Sequence, residues 1–168
     1  MLKDKTMTYI SLFSCAGVGC YGFKKAGFEC IATNELIERR LNVQRFNNKC
    51  KYDSGYICDD ITLEKTKEKI FAEIKRWEKL GNDRVDVLIA TPPCQGMSTL
   101  GKKQYETDKR NSLIKYALMA IDALDPDYVM IENVPKFIKL LYDSDGTTYY
   151  SDTAKSEKPF HIVELLQN

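Results

Sequence analysis

The sequence predicts an α/β fold built on a mostly parallel sheet with helices on both of its faces. Five short segments rich in apolar and β-branched residues suit buried strands, and they alternate with four segments of helical character. Parallel neighbours in a sheet need a long connection, and each helical segment is placed to provide one. With 168 residues the chain is long enough for one domain that buries a sizeable core.

The first half of the chain contains three of the predicted strands, at residues 8–13, 28–33 and 56–58. A short helix over residues 23–26 precedes Gly27, a residue type that suits a helix C-terminus. Residues 36–46 follow the second strand with a helical mixture of apolar and charged side chains. Thr62 is predicted to cap a longer helix that reaches about Leu80.

The second half begins with a fourth strand over residues 85–90, which Pro92 and Pro93 end because proline cannot donate to a sheet ladder. The other predicted elements are helices at residues 112–124, 136–142 and 160–168 and a fifth strand at residues 128–131. Two polar segments, residues 102–110 and 142–159, are expected to be the most mobile.

Composition limits the classes of protein to which the chain can belong. A hydrophobic content of 43%, a charged content of 29% and a net charge of +1 suit a soluble globular domain, and they neither require nor exclude a nucleic-acid partner. No apolar run reaches the roughly 18 residues that a membrane-spanning helix needs, and the charged start is unlike a signal peptide. We therefore expect a cytoplasmic protein without a membrane partner.

Cysteine usage indicates free thiols in a reducing compartment. The six cysteines form no C-x-x-C pair and the chain has one histidine, His161, so we expect no metal site. Cys30 and Cys58 fall in predicted strands, where a thiol behaves as a small buried hydrophobe.

Three successive strand ends carry residues that suit an adenosine-bearing cofactor. Gly17 and Gly19 lie in a loop of small residues after the first strand, where glycine lets the backbone approach a ligand closely. Glu35 lies 18 positions beyond Gly17 and suits the hydroxyls of a ribose. Asp60-Ile61 follow the third strand and could bond to and cover an adenine, while Phe13 could line the site.

Each of these residues also has an alternative interpretation. The two glycines are typical of a tight turn, and Glu35 suits a solvated carboxylate near a helix start. Asp60 suits a helix cap. The coincidence of all three at successive strand ends favours the cofactor site.

Cys94 and Glu132 follow the fourth and fifth strands, whose carboxyl ends share one edge of a parallel sheet. A thiol and a carboxyl group that face one pocket suit attack on an electron-poor ring, with proton transfer at a ring nitrogen. The alternatives are a buried structural thiol for Cys94 and a carboxylate bonded to backbone for Glu132.

The chain resembles the DNA (cytosine-5)-methyltransferases over residues 9–140. The order and spacing of six segments carry the resemblance. They are Leu12-Phe13-Ser14 with Gly17, Glu35, Asp60-Ile61, Pro93-Cys94-Gln95, Arg110-Asn111-Ser112-Leu113 and Glu132-Asn133-Val134. The chain departs from the family pattern at Cys15 and Val18, where the family usually has glycine.

The resemblance implies a Rossmann-like class I methyltransferase fold, with S-adenosylmethionine as cofactor and S-adenosylhomocysteine as product. It implies that Cys94 attacks C6 of a cytosine flipped out of double-stranded DNA, that Glu132 contacts N3 and the amino group, and that Asn133 supports the loop. The residues that it implies for cofactor binding are Phe13, Ser14, Gly17, Gly19, Glu35, Leu36, Asp60, Ile61, Pro93 and Leu113.

The family's Gln-x-Arg-x-Arg motif is not found in the sequence, nor is a variable target-recognition region. We therefore expect residues 1–168 to form the N-terminal part of a catalytic domain that lacks its last strands and its target-recognition domain. The chain would be a truncated form or one subunit of a split enzyme, from a restriction–modification system, and would need a second chain or a C-terminal half. Two alternatives are a non-catalytic cofactor-binding scaffold and a NAD-dependent oxidoreductase on a similar fold.

Overall fold

The computed structural model describes residues 6–94, 109–139, 141–143, 148–149 and 160–166. The chain divides into two compact units. Unit one contains Met1–Thr91 and Leu124–Ile131, and unit two contains Pro92–Ala123 and Glu132–Asn168. The two segments expected to be mobile fall mostly outside the described residues, and Gln95 of the Pro-Cys-Gln motif also lies outside them.

Unit one is a five-stranded sheet with helices in the connections between the strands. Its elements are β1 Thr8–Leu12, α1 Tyr21–Lys25, β2 Glu29–Glu35, α2 Glu38–Phe46, β3 Tyr56–Cys58, α3 Glu64–Glu78, β4 Val87–Ala90 and β5 Tyr128–Ile131. The strand order is β3-β2-β1-β4-β5 and every neighbouring pair is parallel. The predicted α/β fold with a mostly parallel sheet is confirmed.

The strand order reverses at β1, which pairs with β2 on one side and with β4 on the other. In doubly wound sheets the connections diverge at such a point, leaving a crevice at the carboxyl ends of the strands. Every residue of β1 and β4 is buried, as expected of parallel strands covered on both faces. The site residues predicted at the ends of β1, β2 and β3 therefore lie at one edge of a rigid sheet, where the carboxyl ends of the strands meet.

A buried polar contact joins the amino-terminal ends of β1 and β4. Asp86 Oδ2 accepts hydrogen bonds from the Thr8 backbone N–H at 2.6 Å and from Thr8 Oγ1 at 2.8 Å. Both residues are buried, although they are 78 positions apart in the chain. The carboxylate provides the N–H at the start of β1 with a charged acceptor, and it fixes the register of the two central strands.

The sequence predictions for the thiols were correct for Cys30, which is buried, and wrong for Cys58, which is half-buried. Cys58 ends the edge strand β3, and there its Sγ lies 3.6 Å from the Leu36 carbonyl oxygen. All six cysteines lie within the described residues and are free thiols.

Thr62 does not cap α3, so that prediction was wrong. The helix begins at Glu64 and its N-cap is Leu63, whose apolar side chain cannot accept a hydrogen bond. The Thr62 backbone N–H instead donates to Asp60 Oδ1 at 2.9 Å, and Thr66 Oγ1 donates to the Asp60 carbonyl oxygen at 2.6 Å. These bonds satisfy the turn before the helix and hold Asp60 at the end of β3.

Unit two contains a 3₁₀ helix over Lys109–Leu113, which continues as α4 Ile114–Leu124, and the last residue of α4 belongs to unit one. A second 3₁₀ helix covers Pro135–Lys139. The remaining elements are β6 Leu141–Tyr142, β7 Thr148–Tyr149, β8 Phe160–His161 and α5 Ile162–Leu165. The three short strands form an antiparallel sheet in the order β7-β6-β8.

The predictions of two helices in this unit were wrong in part. The helix expected over residues 136–142 is a 3₁₀ helix followed by β6, and residues 160–161 form a strand before α5. Phe137 and Tyr142 are both buried with ring centroids 5.8 Å apart, and Tyr142 Oη donates to the Phe137 carbonyl oxygen at 3.2 Å. This packing outweighs the local helical preference of the segment.

Within the part of the chain that the structure describes, no helix is both long enough and apolar enough to cross a membrane.

Replacing Asp86 with alanine is expected to lower the free energy of unfolding by about 2–3 kcal/mol, because the Thr8 N–H loses a charged acceptor in a buried position. Urea denaturation of both proteins measures the difference. Glu68→Gln, on an exposed position of α3, is the control and should change it by less than about 0.5 kcal/mol. Equal stability of Asp86→Ala and the parent chain would contradict this role.

Candidate functional site

The loop after β1 has an unusual backbone. Phe13 and Cys15 have φ values of 55° and 50°, and Gly17 has a φ of 81°. Non-glycine residues adopt this left-handed region at a cost, so surrounding contacts must hold Phe13 and Cys15 there. The Ser14 N–H donates to the Asn34 carbonyl oxygen at 2.9 Å and the Gly17 N–H donates to the Ser14 carbonyl oxygen at 2.9 Å. The loop therefore turns back on the end of β2.

The buried carboxylate of Glu35, the last residue of β2, binds the backbone of this loop. Its residue exposure is 5%, so the interpretation of Glu35 as a solvated carboxylate was wrong. Its Oε2 accepts from the Cys15 N–H at 2.9 Å, and its Oε1 accepts from the Ile37 N–H at 2.9 Å and from Arg40 at 3.3 Å. A carboxylate has about four acceptor positions, so Glu35 keeps capacity for a ligand hydroxyl.

A polar network that sequence reasoning missed lies beneath the loop. Gln44 of α2 is 1% exposed, and its Nε2 donates to the Cys15 carbonyl oxygen at 2.6 Å and to Ser14 Oγ at 2.9 Å. Thr33 Oγ1 lies 2.8 Å from Gln44 Oε1 and 2.7 Å from Ser14 Oγ, and it accepts from Lys49 Nζ at 3.0 Å. The one available signal was the position of Gln44 three residues after the buried Leu41, which puts both on one helix face.

The two predicted glycines differ in their structural need. A Cβ added at Gly17 would lie 3.0 Å from Gln44 Cγ, and the backbone there is left-handed. A Cβ added at Gly19 would meet nothing within 4 Å. The structure therefore explains glycine at Gly17 through both conformation and space, and it places Gly19 in an open 3₁₀ turn, Val18–Cys20.

The residues after β2 and β3 provide apolar and acidic groups. Leu36 follows Glu35 directly and is 64% exposed, whereas Ile61 is buried. Asp60 is half-buried and bonds to the Thr62 N–H, and since the N-cap of α3 is Leu63 the interpretation of Asp60 as the helix cap was wrong. Beside it, hydrogen bonds from Lys65 and Lys69 lower the pKa of Asp59. The part of Leu36, Asp60 and Ile61 in cofactor binding stays a prediction.

The predicted catalytic residues belong to unit two, and a hydrogen bond joins the two segments that carry them. Asn133 Nδ2 donates to the Pro92 carbonyl oxygen at 2.9 Å, and Asn133 Oδ1 accepts from the Val134 N–H at 2.8 Å. Cys94 is half-exposed, two residues beyond Pro92, and Glu132, next to Asn133, is exposed. The Asn133 side chain therefore links the Pro-Cys segment to the Glu-Asn-Val segment.

Pro93 and Leu113 also lie in unit two, and both are half-buried. Their part in cofactor binding stays a prediction. Among the described residues, no group of three or more His, Cys, Asp or Glu side chains is arranged to hold a metal ion.

Comparison with known proteins gives consistent matches. Residues 7–145 match the family model of C-5 cytosine-specific DNA methylases. The type II methyltransferase M1.HgaI of Avibacterium volantium is 36% identical over 166 residues, which cover 94% of this chain and 44% of that protein. The type II methyltransferase M1.HphI of Haemophilus parahaemolyticus is 29% identical over 155 residues, which cover 91% of this chain and 38% of that protein.

A solved structure is similar in fold as well. A crystal structure described as a prophage-encoded DNA modification methyltransferase of E. coli matches with a TM-score of 0.54 and 28% identity, over 77% of this chain and 32% of that chain. This chain therefore spans less than half of the length of each of the three proteins compared.

Gly17→Ala is expected to lower the free energy of unfolding by about 1–2 kcal/mol, because alanine is strained at a φ of 81° and its Cβ would press on Gln44. Chemical denaturation measures the change. Gly19→Ala is the matched control and should leave stability within about 0.5 kcal/mol of the parent. Similar losses for both variants would show that the loop has no special need for Gly17.

Proposed function

Because this chain belongs to the C-5 cytosine-specific DNA methylase family, we propose that it supplies the cofactor-binding residues and the nucleophile for methyl transfer to C5 of cytosine in DNA. The observation that carries the proposal is the hydrogen bond from Asn133 to the Pro92 carbonyl oxygen. This bond joins two short segments. One carries the thiol of Cys94 and the other carries the carboxyl group of Glu132, and the reaction needs both groups.

The residues of unit one fit S-adenosylmethionine as the cofactor. The Glu35 carboxylate retains acceptor capacity for ribose hydroxyls, and the exposed Leu36 offers apolar surface to a ring. Asp60 provides a second acidic acceptor after the next strand. Phe13, Ser14 and Gly17 belong to the loop after β1, with Gly19 and Ile61 completing the set in this unit. When bound, the cofactor supplies an electrophilic methyl group and leaves as S-adenosylhomocysteine.

Cys94 and Glu132 divide the chemistry on the base between them. The Cys94 thiolate forms a bond to C6 of the cytosine, which moves electron density to C5. Glu132 hydrogen-bonds at N3 and the amino group, and so stabilises the charge that develops on the ring. After C5 has gained a methyl group it loses its proton to a base, and expulsion of the thiolate restores the ring. The target cytosine must leave the duplex stack to reach Cys94.

The proposed setting is the modification enzyme of a restriction–modification system, as the names of the two type II methyltransferase relatives suggest. Both relatives are more than twice as long as their match to this chain. We therefore propose that base recognition comes from a further segment or a second polypeptide. Double-stranded DNA would be the substrate of that assembly.

Cys94→Ser, in the full-length or two-chain enzyme, is expected to reduce methyl transfer from labelled cofactor to DNA to background. The matched control is Cys58→Ser, which removes another half-buried thiol. A hydrogen bond to the Glu38 carboxylate, aided by burial, raises the pKa of Cys58 to about 11, so that thiol stays protonated at neutral pH. Activity retained by Cys94→Ser would refute the assignment of the nucleophile.

Binding of S-adenosylhomocysteine to this chain should raise its melting temperature by several degrees, because saturation at 100 times Kd adds about 2.7 kcal/mol of stability. Differential scanning fluorimetry with this ligand and with NAD measures the effect. NAD is expected to give no shift. A shift with NAD alone would favour the oxidoreductase interpretation and exclude the cofactor proposed.

A further inference from the structure

We infer that Gln44 is a positioning residue that holds the cofactor loop, defined as residues 13–17, in its binding conformation. This inference rests on the proposed function, because it concerns the same cofactor site. Gln44 is not part of any motif that carries the family resemblance, and it would not contact the reacting atoms. Its role would be to act through Ser14, Cys15 and Gly17.

The contacts of Gln44 are directed at the cofactor loop. Its Nε2 group has two hydrogens, and these go to the Cys15 carbonyl oxygen at 2.6 Å and to Ser14 Oγ at 2.9 Å. A carbonyl oxygen can only accept, so the amide nitrogen must face Cys15 and the orientation of the side chain is fixed. On its other side Gln44 Oε1 lies 2.8 Å from Thr33 Oγ1 of β2.

The cofactor loop needs such support because its backbone is strained. Phe13 and Cys15 are non-glycine residues in the left-handed region, with φ values of 55° and 50°. Glu35 holds the Cys15 N–H and Gln44 holds the Cys15 carbonyl oxygen, so both polar groups of this residue are anchored by side chains from β2 and α2. Loss of either anchor releases one end of the strained residue.

The aliphatic part of Gln44 also supports the loop by packing. Gln44 Cγ would lie 3.0 Å from a Cβ built at Gly17, so the Gln44 side chain packs closely against the backbone of Gly17. Burial of an amide is unfavourable unless its donors and acceptor are paired, and here all three bonds serve the loop or the strand beside it. A leucine-like residue could fill the space but could not hold Cys15.

Gln44→Glu is the sharpest variant because it keeps the shape and replaces the donor with an acceptor. A carboxylate oxygen would then face the Cys15 carbonyl oxygen at the position where the hydrogen bond is 2.6 Å long. An ionised carboxylate cannot share that distance with a second acceptor, so the loop must move, and a protonated one has a single donor and loses the bond to Cys15 or to Ser14. Gln44→Met removes the three hydrogen bonds, retains volume and helical preference, and decides the question if the glutamate variant does not fold.

Asn42→Asp is the control, since it makes the same amide-to-acid change on an exposed position of α2 where the side chain bonds to Arg45. Two measurements are made on each folded variant. Isothermal titration gives the Kd of S-adenosylhomocysteine, and peptide-resolved mass spectrometry gives the rate of maleimide alkylation at Cys15, an exposed thiol inside the loop. The second measurement needs no ligand.

We expect Gln44→Glu and Gln44→Met to raise Kd at least about tenfold and to change the Cys15 alkylation rate by at least about threefold, while Asn42→Asp does neither. Parental Kd and alkylation rate in a folded Gln44 variant would overturn this inference and leave the proposed function intact. Failure of the parent chain to bind S-adenosylhomocysteine would instead overturn the proposed cofactor, and with it the role of Gln44.

Discussion

The hydrogen bond from the Cys15 backbone N–H to the buried Glu35 carboxylate ties the loop after β1 to the end of β2. A carboxylate at this depth is stable only when donors surround it, and here the loop after β1, the start of α2 and Arg40 provide them. The same bond holds a strained residue in place. The loop and the start of α2 are therefore coupled through one acidic side chain, and neither can shift without leaving a buried charge under-solvated.

The sheet makes this arrangement possible. β1 lies between β2 and β4, and its residues are fully buried, so the loop after it starts from a rigid point. β2 is longer than β1 and ends in Asn34 and Glu35, which lie beside the loop. In unit two a different side chain has a comparable function, since Asn133 bonds to the backbone of the preceding Pro-Pro-Cys segment. In both units a polar side chain near a strand end organises a loop from another strand.

The five strands of the parallel sheet were predictable from sequence because their signal is local. The fifth strand is observed with the predicted bounds, Tyr128–Ile131, and the third likewise, Tyr56–Cys58. Apolar, β-branched runs between turn residues have few other uses in a small chain. The acidic residue at the end of β2 and the one after β3 were predictable for a similar reason, since the fold brings strand ends to one edge.

The supporting network was not predictable in this way. Gln44 is a buried polar residue among the apolar positions of α2. It stabilises the loop through its hydrogen bond to Cys15, which lies 29 positions away, and no local sequence pattern encodes such a contact. The helix predicted over residues 136–142 was wrong for a related reason. The packing of Phe137 on Tyr142 decides the conformation of this segment. Sequence patterns locate the strand ends and their chemistry, whereas the geometry of the loops depends on long-range polar contacts.

The division of unit one between two stretches of chain has a consequence for its biosynthesis. β5 pairs with β4, yet Pro92–Ala123, which belong to unit two, are translated between them. Until the ribosome has added those residues, the outer edge of β4 lacks its native neighbour. β1 in turn waits for β4, because Thr8 and Asp86 are 78 positions apart. Such late, non-local pairing makes folding slow and leaves the nascent apolar edge open to association with other chains.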